Sequence, residues 1–466
     1  MADTREVVVV GAGPAGYAAA FMAADKGRQV TIIDPEENPG GVCLYRGCIP
    51  TKALLHVVRT RHEAHLARDW GLTFDEPSLD LDKLRDWKND VVAKLTRGTG
   101  QLAKRRKIEH IRGTAAFTDP HTLAARTDDG EQEVRAEQII IATGAEAKML
   151  PMMPADDERV WTAERALDLP FIPERLLVVG AGYIGLEMSY TYLGLGSTVD
   201  LVEMTGGLMP GADRDLVEVF EKTNGKQYNR ILLNTLVDSV EAGKKGLSVS
   251  FTGDGAPEET ATYDAILLAT GRTPLVDSLG LDEAEVERTD AGFVEVDARL
   301  RTSQPHILAV GDVAGPPLLA HKGQHEGRIA GAVVAGDEEA AVDTDVIPAV
   351  EYTDPEIAWV GLTETQAEAE GRRVEVARFP WAASGRALTM GRRLGLTKLV
   401  IDPDTERILG VAIAGAHAGE LIPEGALAIE MAATVRDLEL TVHPHPTLSE
   451  TMRGAAERFF GTATDI

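Results

Sequence analysis

The chain has 466 residues, a mass of 50.0 kDa and a formal net charge of −27. That charge argues against nucleic acid or an anionic membrane as a partner. The ordinary hydrophobic fraction of 44% fits a globular protein of about two to four domains, and the longest early apolar run, Val7 to Val10, is too short to span a bilayer.

With 14 Lys against 33 Arg, the acidic, Lys-poor surface has two readings: adaptation to a salty cytoplasm, or an Arg-biased genome. A gain in refolding stability at molar salt separates them. The opening residues Met1-Ala2-Asp3-Thr4-Arg5-Glu6 carry no apolar signal core, so cytoplasmic residence is expected. The run Val7 to Val10 predicts a strand leading into Gly11-Ala12-Gly13-Pro14-Ala15-Gly16. A helix over Tyr17 to Lys26 follows, then a strand from Gln29 to Ile33 ending at Asp34. In such a unit the first glycine makes the tight turn and the second lets the backbone approach a pyrophosphate. The third lets helix pack on strand. The helix start offers free N–H groups and positive dipole to phosphates, and the acid suits a ribose diol.

Next comes Gly41-Val42-Cys43-Leu44-Tyr45-Arg46-Gly47-Cys48-Ile49-Pro50-Thr51-Lys52, which holds the only two cysteines, five residues apart. In a cytoplasmic protein a lone pair is more often catalytic than structural. On a regular helix their α-carbons would lie about 8.6 Å apart, whereas a disulfide needs roughly 4.4 to 6.8 Å. The segment must therefore be distorted, and Gly47 permits that. Pro50 suits the first turn of a helix running on to Leu55, and a helix N-terminus near Cys48 would lower its thiol pKa. Cys43 and Cys48 are read as a redox-active disulfide exchanging electrons with a flavin; the plainer alternative is two free, buried thiols. The stretch from Asp80 to Ile108 is helix-compatible with mixed charge and reads as a solvated arm. Arg105-Arg106, Arg372-Arg373 and Arg392-Arg393 read as surface charge.

The strand Ile139 to Ile141 ends in the small-residue turn Ala142-Thr143-Gly144. Then the opening device repeats. Leu176 to Val179 leads into Gly180-Ala181-Gly182-Tyr183-Ile184-Gly185, a helix follows, and Thr198 to Val202 ends at Glu203. In both copies the acid lies 23 residues after the first glycine. Ala265 to Leu268 closes this unit at Ala269-Thr270-Gly271, and Ile307 to Val310 ends at Gly311-Asp312, where the aspartate suits a ribityl chain or a phosphate-bridging water. Two units imply two dinucleotides. The first, carrying the cysteines, should hold FAD. Glu203 suits the free 2'-hydroxyl of NAD and would repel the 2'-phosphate of NADP, and Met204-Thr205-Gly206-Gly207 supplies no Arg. No metal is expected.

After Ile347-Pro348 the pattern changes. Tyr352 to Glu356 reads as a turn, and strands Leu396 to Ile401 and Leu409 to Ile413 alternate with helices. Near the end lies His443-Pro444-His445-Pro446-Thr447-Leu448-Ser449-Glu450. Two prolines present imidazoles that titrate near neutrality, and Glu450 could orient one of them. A rigid loop without catalytic duty is the alternative.

These motifs together resemble dihydrolipoamide dehydrogenase, a flavoprotein disulfide reductase family, over essentially the whole chain. The resemblance rests on the two-cysteine segment, Gly180 through Glu187, Leu319-Ala320-His321-Lys322, Ala418-Gly419-Glu420-Leu421-Ile422 and His445 through Glu450. It implies that dihydrolipoamide attacks Cys43 and that Cys48, nearest the flavin, passes electrons to the ring as a charge-transfer thiolate. The flavin then reduces NAD. His445 is implied as acid-base residue with Glu450 as its partner, both supplied by the other subunit of a homodimer, and Lys52 and Glu187 are implied to pair beside the flavin. The same carry-over adds Gly113, Ala115 and Val237, together with Leu319, Ala320 and His321, to the cofactor-binding set. The implied partner is the lipoyl domain of a carrier protein, as in 2-oxoacid dehydrogenase or glycine-cleavage systems.

The fold implied is α/β: two Rossmann-like dinucleotide-binding domains plus a C-terminal α+β dimerisation domain. FAD binding is expected over 1–150 and 280–348, NAD binding over 151–279 and the interface domain over 349–466. The chain departs from the family pattern at Tyr45-Arg46, Thr51, Pro444 and Tyr183. The Tyr45-Arg46 spacer is read as fitting a non-standard lipoyl carrier. A tyrosine at 183 resembles glutathione reductase, where it covers the nicotinamide site, and a glutathione reductase-like NAD(P)H-dependent disulfide reductase is the rival reading. A non-enzymatic subunit binding FAD as structure is a third; keeping Cys43, Cys48, His445 and Glu450 together argues against it.

Overall fold

The computed structural model describes residues 4–343 and 346–464. Residues 1–3 of the N-terminal stretch and residues 465–466 of the tail lie outside the described part. The valine run forms the strand Arg5–Val10, with Val7, Val8 and Val9 all at 0% exposure. It sits between Val30–Asp34 and Gly130–Ile141, parallel to both. Covered on both faces, it needs apolar side chains at every position rather than at alternate ones. Gly130–Ile141 serves two neighbours: its second half runs parallel to Arg5–Val10, its first half antiparallel to Thr122–Thr127. Ile307–Ala309 then pairs back onto Ile139, Ile140 and Ile141, so the chain returns to this sheet after a long excursion.

The excursion builds a second, all-parallel sheet from Val160–Thr162, Arg175–Val179, Thr198–Val202, Arg230–Leu232 and Ala265–Leu268. A three-stranded antiparallel layer, Leu236–Gly243, Gly246–Thr252 and Ala261–Tyr263, shares its core through Val237, Leu247 and Val249. The outgoing and returning passes pair with each other as Ala145–Ala147 and Arg272–Pro274. A third sheet, five-stranded and antiparallel, is ordered Ala349–Glu351, Glu356–Gly361, Ile408–Gly415, Leu396–Ile401 and Glu375–Pro380. It carries the helices Ala418–Glu430 and Glu450–Phe460 over its core. No helix among the described residues is long and apolar enough to cross a membrane.

Three sequence expectations change. The first helix begins at Pro14, not Tyr17; proline occupies its first turn, where an N–H has no helical partner to lose. The Asp80 to Ile108 stretch is one helix, Leu81–Arg105, but not a free arm. It buries Leu84, Val92 and Ala103, and Lys88 Nζ donates to the carbonyl of Leu167 at 2.8 Å. Arg392 is not surface charge: its side chain is 14% exposed and pairs with Glu63 and with Asp354 at 2.9 Å. It ties the cysteine-bearing helix to the third sheet.

Candidate active site

The two glycine loops adopt the same backbone. Gly11 and Gly180 have φ of +96° and +101°, a region that disfavours any side chain, and a Cβ on either would lie 2.4 Å from a carbonyl, of Ala142 or Ala269. A Cβ on Gly16 would fall 2.0 Å from Gly11 O; on Gly185 it would fall 1.9 Å from Gly180 O. The third glycine thus lets each helix start press on its own turn. Above the loops there is room: a Cβ on Gly182, Gly144 or Gly271 would meet nothing within 4 Å, and one on Gly13 would meet only Gly41 Cα at 3.9 Å. The helices Pro14–Asp25 and Tyr183–Leu195 point their N-termini into this space, a cradle that fits a dinucleotide pyrophosphate.

The acids are used in a way the sequence did not indicate. Asp34 Oδ2 accepts from Ala12 N at 2.7 Å and Oδ1 from Glu36 N at 2.9 Å. Glu203 Oε2 accepts from Ala181 N at 2.9 Å, and Oε1 from Thr205 N and Thr205 Oγ1, each at 2.8 Å. Each carboxylate therefore clamps its glycine loop to the strand end, with lone pairs left for a ribose diol. The turns after the next strands match too: Thr143 Oγ1 donates to Leu275 O and Thr270 Oγ1 to Lys148 O. Gly113 N donates to Asp34 O, and Ala115 is partly buried on the adjoining strand. Val237 is a core side chain paired with Phe251 beside an irregularity in the ladder, so its side chain is closed to a ligand.

The cysteine segment breaks where expected. Cys43 lies in the helix Gly41–Arg46, Gly47 takes φ −140° and ψ −111°, and Cys48 opens the helix Cys48–Leu66. A Cβ on Gly47 would sit 2.9 Å from Val42 O. Both cysteines are free and partly buried, and each shifts the titration of the other. Their titrations diverge. The hydrogen bond from Cys43, with help from the Lys52 ammonium and against the cost of burial, lowers Cys48 to about 7. Cys43, which keeps the shared proton, is pushed far up. Thr51, in place of the commoner serine, donates its hydroxyl to Gly47 O at 2.7 Å.

Lys52 reaches across from the cysteine helix to Glu187 on the second glycine helix, at 2.7 and 2.9 Å. Burial works against the Lys52 charge, but Glu187 outweighs it and holds the ammonium above its ordinary range. Tyr352 N donates to Glu187 Oε1 at 3.3 Å, and Lys52 Nζ lies 4.4 Å from the Tyr352 ring centroid. Tyr183 stacks on Trp359 of the third sheet, centroids 5.7 Å apart, and Ile184 beside it is 37% exposed. On the far side, Gly311 N donates to Glu326 Oε2 at 2.7 Å, and Lys322 pairs with Glu326 at 2.9 Å while donating to Gly315 O. Asp312, half-buried near Arg272 and Lys322, has its carboxyl raised by the burial it has. Leu319 N donates to Pro317 O at 2.9 Å where the helix Ala320–Val334 begins, and the His321 ring meets Pro348 O at 2.7 Å.

Of the two C-terminal histidines only one faces outward. His443 is buried against Glu424 at 2.7 Å, which raises its pKa. The His445 side chain is 79% exposed, and its Nδ1 meets Glu450 Oε1 at 3.0 Å. Glu450 is fixed in turn by Thr447 N at 2.8 Å; burial pushes its carboxyl up, but that bond and His445 bring it below the ordinary range. No hydrogen bond or ion pair joins His445 to the cysteines of its own chain among the described residues. Tyr45 and Arg46, both half-exposed, are partnered within the chain: Tyr45 exchanges hydrogen bonds with Asn38, and Arg46 pairs with Glu36 and Glu164.

Residues 5–327 match the pyridine nucleotide-disulphide oxidoreductase family, and residues 347–456 match that family's dimerisation domain. The chain belongs to this family. It is 48% identical to a dihydrolipoyl dehydrogenase of Haemophilus influenzae, covering 99% of this chain and 96% of the relative. It is 46% identical to one of Vibrio cholerae, covering 99% and 97%. Among solved structures it is similar to LpdA from Mycobacterium tuberculosis, at TM-score 0.90 and 28% identity over 98% of this chain and all of that one. It is also similar to the Escherichia coli flavoprotein disulfide reductase RclA, at TM-score 0.87 and 27% identity over 98% and 99%. As a member of the family the protein is an oxidoreductase using FAD and NAD. Sequence reasoning missed Glu326, Arg272, Glu36, Glu164 and Glu351. Only Glu326 had a local signal, four residues after Lys322 on a helix.

Proposed function

We propose that the protein is a dihydrolipoyl dehydrogenase, reoxidising protein-bound dihydrolipoyl groups and passing the electrons to NAD. The observation that carries this reading is the Cys43 and Cys48 pair, with Cys48 at a helix N-terminus and its pKa lowered to about 7 beside the Lys52–Glu187 pair, in a chain alike over its length to relatives of that name. Cys43 is assigned the attack on substrate and Cys48 the thiolate facing the ring. Bound FAD supplies the two-electron relay between these thiols and NAD. Gly11, Gly13, Gly16, Asp34, Gly144 and Asp312 would hold FAD; Gly180, Gly182, Glu203 and Gly271 would hold NAD, over the domain spans given above.

Lys52 stabilises negative charge at Cys48 and is itself oriented by Glu187. His445, positioned by Glu450, moves the proton of the incoming thiol. Because His445 is exposed and apart from the cysteines of its own chain, it is assigned to the site of a second copy. Leu427 and Met431, four residues apart at the end of the helix Ala418–Glu430 and exposed by 62% and 73%, offer apolar surface for that dimer. A lipoyl domain is the partner proposed for the cysteine cleft.

The test is anaerobic reduction of the yellow holoenzyme by dihydrolipoamide, followed at long wavelength, then addition of NAD. A new long-wavelength band and NADH formation are expected. A flavin that responds to NADH but not to dihydrolipoamide overturns the substrate assignment.

A further inference from the structure

Glu351 ends the strand Ala349–Glu351 with 0% exposure, and neither of its carboxyl oxygens has a hydrogen-bond partner among the described residues. It lies within electrostatic reach of Lys52 on the cysteine helix and of Glu187 and Tyr183 on the second glycine helix, with Tyr228 also facing it. Its chain neighbour Tyr352 is fastened to the same pair by backbone and ring. A bare carboxylate in such a place is costly. Burial first, and the charge of Glu187 second, push the carboxyl well above its ordinary range against the pull of Lys52. Tyr183 and Tyr228, raised chiefly by burial, stay neutral.

We propose that Glu351 is a proton-carrying positioning residue of the redox site, neutral while Lys52 serves Glu187 and a thiolate at Cys48, and competing for Lys52 once its proton has left. The step moves one proton between Glu351 and solvent and no electrons. Because linkage is reciprocal, a thiolate at Cys48 raises the proton affinity of Glu351 by the factor by which the proton favours the thiolate. Reduction of the cysteine pair is thereby coupled to proton retention at Glu351. The inference rests on the reading of Cys43 and Cys48 as the redox pair.

The test uses the FAD-loaded protein carrying Cys43→Ser, which leaves Cys48 as its single thiol. Iodoacetamide alkylation rates are followed across about pH 5 to 10, with Glu351 intact and in Glu351→Gln and Glu351→Leu. The two variants should coincide on a single-ionisation curve. The Glu351 protein should lie above them in pH and spread wider, as coupled groups do, with about three- to tenfold less thiolate between the midpoints. In parallel, difference infrared spectra of the Glu351 protein should show a protonated-carboxyl stretch at neutral pH that fades as the thiolate curve broadens. Superimposable curves for Glu351 and Glu351→Gln, or no such band, overturn the proposal. The infrared titration decides the matter even where a variant fails to fold. Dihydrolipoamide is absent from both readouts, so failure of the substrate assignment leaves them unchanged.

Discussion

Replacing Glu203 by Gln tests whether the acid after the second glycine loop is a clamp as well as a ribose ligand. Its two oxygens accept three hydrogen bonds, from Ala181 N, Thr205 N and Thr205 Oγ1. An amide has one acceptor and one donor group. Whichever way it is turned, its NH₂ faces a backbone N–H, of Ala181 or of Thr205, and that donor is orphaned. An unsatisfied buried donor costs about 1–3 kcal/mol. The cost falls on the loop that cradles the pyrophosphate, so NADH should bind about ten- to a hundredfold more weakly. Loss of the negative charge should also narrow the preference for NADH over NADPH. The assay is the KM for NADH and for NADPH in steady-state reduction of lipoamide, with amide exchange at Ala181 as the structural readout. Asp34→Asn offers the matching experiment in the first loop, read as FAD retention. Unchanged NADH affinity together with unchanged exchange at Ala181 would refute the clamp.

Four further outcomes are expected. His445→Gln should slow oxidation of dihydrolipoamide by about a hundred- to ten-thousandfold while leaving flavin reduction by NADH intact in rapid mixing; an equal loss in both half-reactions sinks the assignment. In the reduced protein, alkylation of Cys48 should rise as pH increases through about 7, since the lowered pKa exposes thiolate above that value and protonates it below. Lys398→Met should destabilise the protein by about 3–5 kcal/mol in urea unfolding. Lys398 is fully buried and answers Asp213, Asp215 and Glu364 at 2.6, 2.7 and 3.2 Å; its loss leaves Asp215 and Glu364 to Arg378, and Asp213 to the N–H groups of Glu364 and Thr365 and the Thr365 hydroxyl. Tyr45→Asn with Arg46→Val should leave turnover on free and protein-bound lipoyl groups unchanged and cost no more than about 1 kcal/mol per lost ion pair, because both side chains are engaged inside the chain; a carrier-specific loss would restore the reading of this spacer as a docking determinant.

Both nucleotide cradles were legible because their signals are local. A β-branched run, three glycines and an acid at fixed spacing each answer a steric or dipolar demand within one strand–turn–helix. The break between the cysteines was legible for the same reason, since helix geometry and disulfide geometry conflict over five residues. What escaped depends on long-range contact. Arg392 looked like half of a surface Arg-Arg pair, and only tertiary packing against Glu63 and Asp354 marks it as internal. The Leu81–Arg105 helix carries mixed charge, yet it presents Leu84, Val92 and Ala103 at helical spacing to its neighbours. His443 and His445 share a motif, and nothing in it says that Glu424 takes one inward and leaves the other exposed. Glu351 is the extreme case: in a chain of net charge −27, one more acid before a Tyr-Thr-Asp-Pro turn carries no signal until burial supplies it.

The proposed redox site lies where the two duplicated units touch, and a glycine sets how close they come. Lys52 belongs to the helix after the first unit and Glu187 to the helix of the second, so their contact depends on the packing of Cys48–Leu66 against Tyr183–Leu195. Further along, Gly194 faces Val58, and a Cβ there would lie 2.1 Å from Val58 Cγ1. The side chain missing at Gly194 is what lets the helices close enough for a bidentate Lys52–Glu187 pair. Arg61 Nη1 donates to Gly194 O at 2.8 Å and fixes the same approach. The charge that lowers Cys48 is therefore held by packing between units that each fold around their own sheet.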